Sequence, residues 1–378
     1  NRDAWCFNAS RQSVVSNMRR MIEFYNKEVQ RFNELHSGLS KKARESKVDD
    51  FIDATPEKIS WTRELKNELA KDKQFTYEQN RLVTSLYRPF TKQWLYFDRT
   101  FNEMVLQMPR IFPNASSKNI VIIIKQRWAG TGYLALITNC VSSLQPDGGD
   151  QCFPLYLYES VEESTQTNSP TTGDLFAPKP AKPSPNQTTY TRKDAITDEG
   201  LQHFQSAYPN EKISKEDLFY YVYGLLHSPD YRERYADNLS KELPRIPAVK
   251  TAKDFWHFSN AGRALAELHL NYETVTPYPV KIEVSGKAPL TDEDYRVEKM
   301  KYGRSSQKGA GKDKDLTTLI YNHRITLTGI PLAAYDYIVN GKSALEWVME
   351  RQAVSTNKDS GIVNDANDWA IETMHNPK

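Results

Sequence analysis

From Ser160 to about Thr191 the chain consists largely of Ser, Thr, Pro, Gln and Asn, with Leu175 and Phe176 almost its only large apolar residues. A stretch of this kind cannot offset its ordering entropy by burial. It is read as a flexible insertion or linker and as the best candidate for an internal boundary. The chain has 378 residues, beyond the usual reach of one hydrophobic core, so at least two units with connecting elements are expected.

The hydrophobic period differs along the chain. Between Ser10 and Leu35 the residues Val14, Met18, Met21, Ile22, Tyr25, Val29 and Phe32 recur at three- and four-residue steps, which predicts a long amphipathic helix with Ser10 as N-cap and Gly38 as its stop. A second helix is expected after Pro56, burying Ile59, Leu65 and Leu69, so that the first part reads as a helical arm. Short β-branched or aromatic runs follow at Trp94–Phe97, Ile120–Lys125, Tyr133–Thr138 and Phe153–Tyr158. Gly130, Gly132, Pro146, Gly148 and Gly149 supply turns between them, as in a sheet. Beyond the polar stretch, helices resume near Asp198, with apolar strips at Leu218–Leu226 and Phe255–Leu270. Strand-like runs then appear at Pro279–Val284, Asp294–Met300 and Thr317–Leu327, and a last helix over Ser343–Gln352. The expected class is α+β: an N-terminal helical spacer followed by two mixed lobes with mainly antiparallel sheets.

Composition narrows the function classes. With 39% hydrophobic and 26% charged residues the chain has the profile of a soluble globular protein. Its longest apolar run, Ile120–Ile124, is far short of the roughly 20 residues of a membrane span, so no membrane partner is expected. Cys6, Cys140 and Cys152 are too few and too scattered for a disulfide framework and form no CxxC pair, which predicts reduced thiols and a cytoplasmic location. The chain starts at Asn1 without a methionine or a leader, as a piece of a longer polypeptide would.

Motifs for catalysis are weak. Gly341, Lys342 and Ser343 spell the end of a phosphate-binding loop, but Asp336 stands where that loop needs glycine and would repel phosphate. A turn capping the next helix explains them better. The WAGTGY segment, Trp128–Tyr133, follows a strand but leads into another strand, so it predicts a hairpin turn rather than a dinucleotide loop. No histidine pairs with His, Cys or a carboxylate at zinc spacing, and His227, followed by Ser228 and Pro229, reads as a helix terminus. There is no GxSxG signature.

Cations interleaved with aromatics give the binding candidates. They are Arg88, Lys92, Arg99 and Arg110 around Trp94, then Lys125 and Arg127 beside Trp128, a mixture suited to phosphate contact and base stacking. For each, the alternative is a solvated rim around a core. The run Lys299–Lys314 carries Lys299, Lys301, Arg304, Lys308, Lys312 and Lys314 among glycines and serines, against Glu298, Asp313 and Asp315. A basic loop between strands suits a phosphate clamp, since releasing condensed counterions favours binding, and the alternative is a solvated loop with no partner. The net charge of +2 does not itself argue for nucleic acid.

Several blocks in order resemble a known family: NRDAWCFN (Asn1–Asn8), YRPFTKQWLYFD (Tyr87–Asp98), CFPLYLYE (Cys152–Glu159), and YVYGLLHSPDYRERYADNLSKELPRIP (Tyr221–Pro247). GRALAELHLNYE (Gly262–Glu273) and GIPLAAYDYIVNGKSALEWVMERQ (Gly329–Gln352) complete the set. Together they resemble the C-terminal part of type ISP restriction-modification enzymes. That resemblance implies that residues 1–74 are a helical spacer with the end of the methyltransferase, and 75–159 a β-rich first lobe of the target recognition domain. It likewise implies a flexible linker or insertion at 160–195 and a second α+β lobe at 196–378. The [DN]PP[YF] loop for a flipped adenine, an S-adenosylmethionine motif, and helicase and nuclease motifs are missing from the sequence. The resemblance thus implies a fragment that recognises double-stranded DNA without modifying it. Its partners would be the methyltransferase and helicase domains of the same polypeptide. S-adenosylmethionine, ATP and Mg are expected for the whole enzyme and no cofactor for the fragment. Within YRPFTKQWLYFD, Trp94, Tyr96 and Phe97 are expected in the core. Two other classes stay open: a docking module that touches DNA little, and an enzyme with a spatially assembled site.

Overall fold

The chain is described here by a computed structural model, which covers residues 2–125, 134–143, 150–160, 189–286, 289–304 and 314–376. The expected turn at Trp128–Tyr133, the cations Arg127, Lys308 and Lys312, and most of the polar stretch lie outside these residues.

Alternation on one strand separates two of the three cores. A three-stranded antiparallel sheet joins β5 (Ala135–Thr138), β4 (Val121–Lys125) and β7 (Asp150–Pro154), with β4 central and every residue of it buried. Val121 and Ile123 enter one hydrophobic cluster while Ile122 and Ile124 enter another. A continuous apolar run is what a strand covered on both faces requires.

The first cluster is built on the Arg11–His36 helix and a sheet in the order β1 (Phe7–Asn8), β3 (Thr91–Tyr96), β2 (Leu82–Arg88), β6 (Val141–Ser142). The helix buries the seven residues its period predicts, and Ser10 caps it by accepting a hydrogen bond from the Ser13 N–H. Met18, Tyr25, Leu65, Leu82, Leu95 and Tyr96 share this core, so helices and sheet on the two sides of residue 74 pack as one body. Trp94 and Phe97 pack against it, half-buried. The helix ends at His36 with Ser37 as its C-cap, so Gly38 stands just outside it, where the stop was expected. One feature differs from expectation: a further helix, Lys41–Phe51, precedes Pro56 in addition to Arg63–Ala70. The Lys41–Phe51 helix buries only Arg44 and Val48, too little apolar surface to leave a period.

The second cluster centres on the Lys215–Leu226 and Ala252–Leu270 helices, with a two-stranded ladder of β8 (Tyr156–Ser160) and β9 (Tyr190–Asp194) beside them. The helices meet at two glycines. A Cβ on Gly224 would lie 2.2 Å from the Phe258 carbonyl oxygen, and one on Gly262 would lie 2.0 Å from that of Tyr220. Only hydrogen fits at this crossing. The Phe153–Tyr158 run is two strands, broken at Leu155, whose N–H turns to the Ile120 carbonyl.

The third cluster holds Val297, Met300, Leu319, Ile330 and Met349 beneath an antiparallel sheet. Its order is β10 (Lys281–Val284), β13 (Ile325–Thr328), β12 (Lys314–Ile320), β11 (Lys301–Arg304). The expected strand at Asp294–Met300 does not form. Asp294 closes a capping box with Thr291, and the Val297 backbone is satisfied by the Asn367 amide at 2.9 and 2.8 Å, leaving no ladder to join. Nor is the Ala344–Arg351 helix the last one, since Ala366–Glu372 follows it.

A short hairpin, β14 (Ile338–Val339) and β15 (Lys342–Ser343), turns on Asn340 and Gly341 at φ 50° and 76°, the left-handed pair of a type I′ turn. Ser343 then caps the Ala344–Arg351 helix in a capping box with Glu346. GKS is therefore turn and cap, as the sequence predicts. A last ladder, β16 (Val354–Thr356) with β17 (Val363–Asp365), leads into the Ala366–Glu372 helix. This end fastens onto the beginning of the chain. Asn8 Nδ2 donates to the Val363 carbonyl at 2.9 Å, the Ala9 N–H to Asn364 Oδ1 at 2.9 Å, and Ser10 Oγ and the Arg11 N–H to the Glu372 carboxylate at 2.8 and 2.7 Å. That carboxylate sits at the positive end of the 26-residue helix dipole.

Among the described residues the fold is α+β, with thirteen helices and mostly antiparallel sheets. None of its helices is long and apolar enough to cross a membrane.

Candidate nucleic-acid interface

The sequence candidates divide by what their charged ends touch. Lys301 and Arg304 stand at the two ends of β11, with Lys299 just before it and Lys314 opening β12 across the ladder, where Arg304 pairs with Lys314. All four are exposed. Among the described residues none of them pairs with a carboxylate. Together with Tyr302, Gly303, Met349, Glu346 and Glu350 they line a cleft of about 580 Å³ between β11 and the Ala344–Arg351 helix.

The two carboxylates in that cleft are already engaged. Glu346 accepts from the Ser343 N–H and Oγ at 2.9 and 3.0 Å, while Glu350 is ion-paired with Lys342 and, at 2.9 Å, with Arg351. Around the cleft the four cations outnumber these two carboxylates, which makes the potential there positive. The backbone that carries them is kinked. The β11–β12 register shifts between Tyr302 and Gly303, and a Cβ on Gly303 would come within 2.9 Å of the Thr318 side chain. The bulge turns Arg304 toward Lys314. Lys314 Nζ also lies 5.3 Å from the centre of the Tyr302 ring, so an aromatic face stands among the cations.

The candidates on the first sheet are placed otherwise. Lys92 is directed inward, its Nζ 2.7 Å from Glu273 Oε2 and 3.2 Å from the Leu270 carbonyl. Lys125 is 7% exposed and donates to Asn340 Oδ1 at 3.2 Å. In this arrangement both ammonium groups tie the fold together. Arg88 stacks 4.1 Å above the Tyr87 ring and donates to the Tyr87 carbonyl at 2.6 Å, and Arg110 lies 3.8 Å from Glu159. Arg99 opens a short helix, exposed and, among the described residues, without an ion pair. The structure thus brings together Lys299, Lys301, Arg304 and Lys314 and leaves Arg88, Lys92, Arg99, Arg110 and Lys125 elsewhere. Arg127, Lys308 and Lys312 are outside the described residues.

Among the described residues no group of three or more His, Cys, Asp or Glu side chains is placed to hold a metal ion. Burial pushes the thiols of Cys6 and Cys152 up to about 12, so neither is a thiolate near neutrality. His227, which closes the Lys215–Leu226 helix as its C-cap, donates from Nδ1 to the Tyr223 carbonyl over 2.8 Å, and its Nε2 lies 3.3 Å from the Tyr337 hydroxyl. Burial lowers its pKa to about 3 and that of neighbouring His269 to about 4, so both stay neutral.

The sequence model of the Type ISP C-terminal specificity domain matches residues 1–378. Similar solved structures carry DNA. A nuclease-deletion mutant of the Type ISP restriction-modification enzyme LlaGI in complex with a DNA substrate mimic is 35% identical, with TM-score 0.75, over 100% of this chain and 30% of that one. The ATP-dependent Type ISP enzyme LlaBIII bound to DNA is 31% identical, with TM-score 0.75, over 97% of this chain and 20% of that one. A DrdV–DNA complex is 32% identical, with TM-score 0.74, over 96% of this chain and 31% of that one. The chain therefore spans less than a third of the length of each. No curated protein sequence matches it.

Proposed function

The chain belongs to the Type ISP C-terminal specificity domains, and from that membership we propose that it recognises the target sequence in double-stranded DNA without itself altering the DNA. The observation that carries this reading is the cleft beside β11, where Lys299, Lys301, Arg304 and Lys314 are exposed and, among the described residues, none of them is ion-paired. Cations held at fixed spacing on a strand fix the register of a protein on a duplex, and side chains nearby then meet base edges. The modification of a base, which requires its extrusion from the stack, is assigned in this reading to other domains of a longer enzyme. S-adenosylmethionine, ATP and Mg belong with those domains.

One observation favours docking as a second reading. Ile282 on the edge strand β10 lies in register with Leu327, and Leu327 with the buried Leu319, yet Ile282 is 59% exposed and Val284 40%. An apolar sheet edge of this kind suits a neighbouring domain. Binding of random-sequence duplexes over a salt series separates the readings. Target recognition requires binding at low salt, an affinity that falls steeply as salt rises, and a preference for one sequence; no binding at low salt leaves docking alone.

A further inference from the structure

A second cleft lies over the other part of the molecule. It has a volume of about 600 Å³ and is bounded by Arg2, Asp3, Phe7, Tyr87 and Gln93, with Asn364 and its neighbours on the β16–β17 ladder closing one side. Such a volume is typical of small-molecule sites. Its floor is the face of the first sheet on which Gln93 stands directly opposite Ser85.

Both of these residues are buried, Gln93 at 6% exposure and Ser85 at 0%, and among the described residues neither Gln93 Oε1 nor Ser85 Oγ has a hydrogen-bond partner. An orphaned buried polar group costs about 1–3 kcal/mol, so two across one ladder rung point to something that the fold itself does not supply. Gln93 Oε1 is sealed from solvent as it stands, and a turn of the amide toward the cleft would present a donor and an acceptor in one plane, the pairing that matches the adjacent acceptor and donor on a base edge. Phe7 and Tyr87, with ring centres 5.0 Å apart, make an aromatic wall beside it. Charge at the mouth does not favour an anion: Arg2 lies 3.8 Å from Asp3 and 3.6 Å from Glu103, one cation against two carboxylates. A neutral planar heterocycle fits all of these features.

We propose that the cleft floored by Gln93 and walled by Phe7 and Tyr87 binds a nucleobase. The base comes either from a free nucleoside or from a nucleotide turned out of a strand. Gln93 reads the polar edge of the ring, and Ser85 gains a partner through the reoriented amide. This site uses none of the cations at β11, so it stands or falls separately from the DNA reading.

The test uses the 378-residue chain with the four 2′-deoxynucleosides, followed by equilibrium dialysis, and with a duplex carrying 2-aminopurine, followed by its emission. Binding of at least one deoxynucleoside is expected, weakened about tenfold or more in Gln93→Leu, the factor that one lost bidentate contact gives. Should Gln93→Leu not fold, Phe7→Leu provides the same reading through loss of the ring. A rise in 2-aminopurine emission that Gln93→Leu abolishes assigns the base to a strand, and nucleoside binding without that rise assigns it to the free nucleoside. The proposal is overturned if neither probe responds, or if Gln93→Leu binds both as the parent does. A Gln93→Leu chain with a raised Tm, and no probe binding to the parent, would mean that the cleft holds ordered water only, and would overturn it equally.

Discussion

Lys92 Nζ lies 2.7 Å from Glu273 Oε2, and the other oxygen of that carboxylate accepts from Trp369 Nε1, also at 2.7 Å. One acidic side chain therefore joins the first sheet, the segment after the Ala252–Leu270 helix and the last helix. Lys92 belongs to the conspicuous YRPFTKQWLYFD block, and its position explains that a cation there can serve structure.

Lys92→Met should destabilise the chain by about 2–4 kcal/mol in urea unfolding, because it leaves Glu273 charged and largely buried without its counter-ion. At temperatures where the variant is folded, duplex affinity should be unchanged. A weakened duplex affinity with unaltered stability would instead place Lys92 at the interface.

Gly262→Ala should cost about 3 kcal/mol, seen as a lower Tm. Its methyl would meet the Tyr220 carbonyl oxygen at 2.0 Å and the Gly224 nitrogen at 2.7 Å, and backbone atoms can yield only if the helices move apart. Gly38→Ala is the control, with nothing within 4 Å of the added methyl; its Tm should stay within the small range of surface substitutions.

Stability should fall on acidification through two histidines. His227 and His269 have folded pKa values lowered by burial to about 3 and about 4, from an ordinary 6.5. Below pH 6.5 the unfolded chain takes up protons that the folded chain refuses, so their contribution is complete above that value and is lost as the pH drops toward the folded values. The loss approaches about 1.4 kcal/mol per pH unit for each ring. Comparing unfolding free energies at pH 7 and pH 5 for the parent and a His227→Phe, His269→Phe double variant should show a shallower decline in the variant; equal slopes would exclude the pair as its source.

Lys301→Ala combined with Arg304→Ala should weaken binding to every duplex sequence and reduce the slope of log K against log salt by about 2, near 0.9 for each lost phosphate contact. Neither side chain has an ion pair among the described residues, so stability should change little. An unaltered slope would remove this strand from the interface.

Sequence and structure agree where a local rule suffices. The Arg11–His36 helix carries both its cap and its period, and the Asn340–Gly341 turn with the Ser343 cap is written in four consecutive residues. Long-range pairing is what escaped. Lys92 and Lys125 look like Arg99 in sequence, but their partners Glu273 and Asn340 stand 181 and 215 residues away. Of the candidate cations, those kept together in space are Lys299, Lys301 and Arg304, neighbours along the chain, with Lys314 brought beside them by strand pairing. The charged Lys41–Phe51 helix and the Asn367 amide that replaces a ladder at Val297 left no periodic trace to find.

The fastening of residues 8–11 to residues 363–372 also has a mechanical meaning. A pulling force that entered the chain near Ala9 and left it near Glu372 would be borne by these hydrogen bonds loaded side by side. The Trp94–Thr373 and Trp369–Glu273 bonds would share that load, and most of the chain between the two points would stay slack until the clasp parted, so the molecule would answer a tug as a closed loop does.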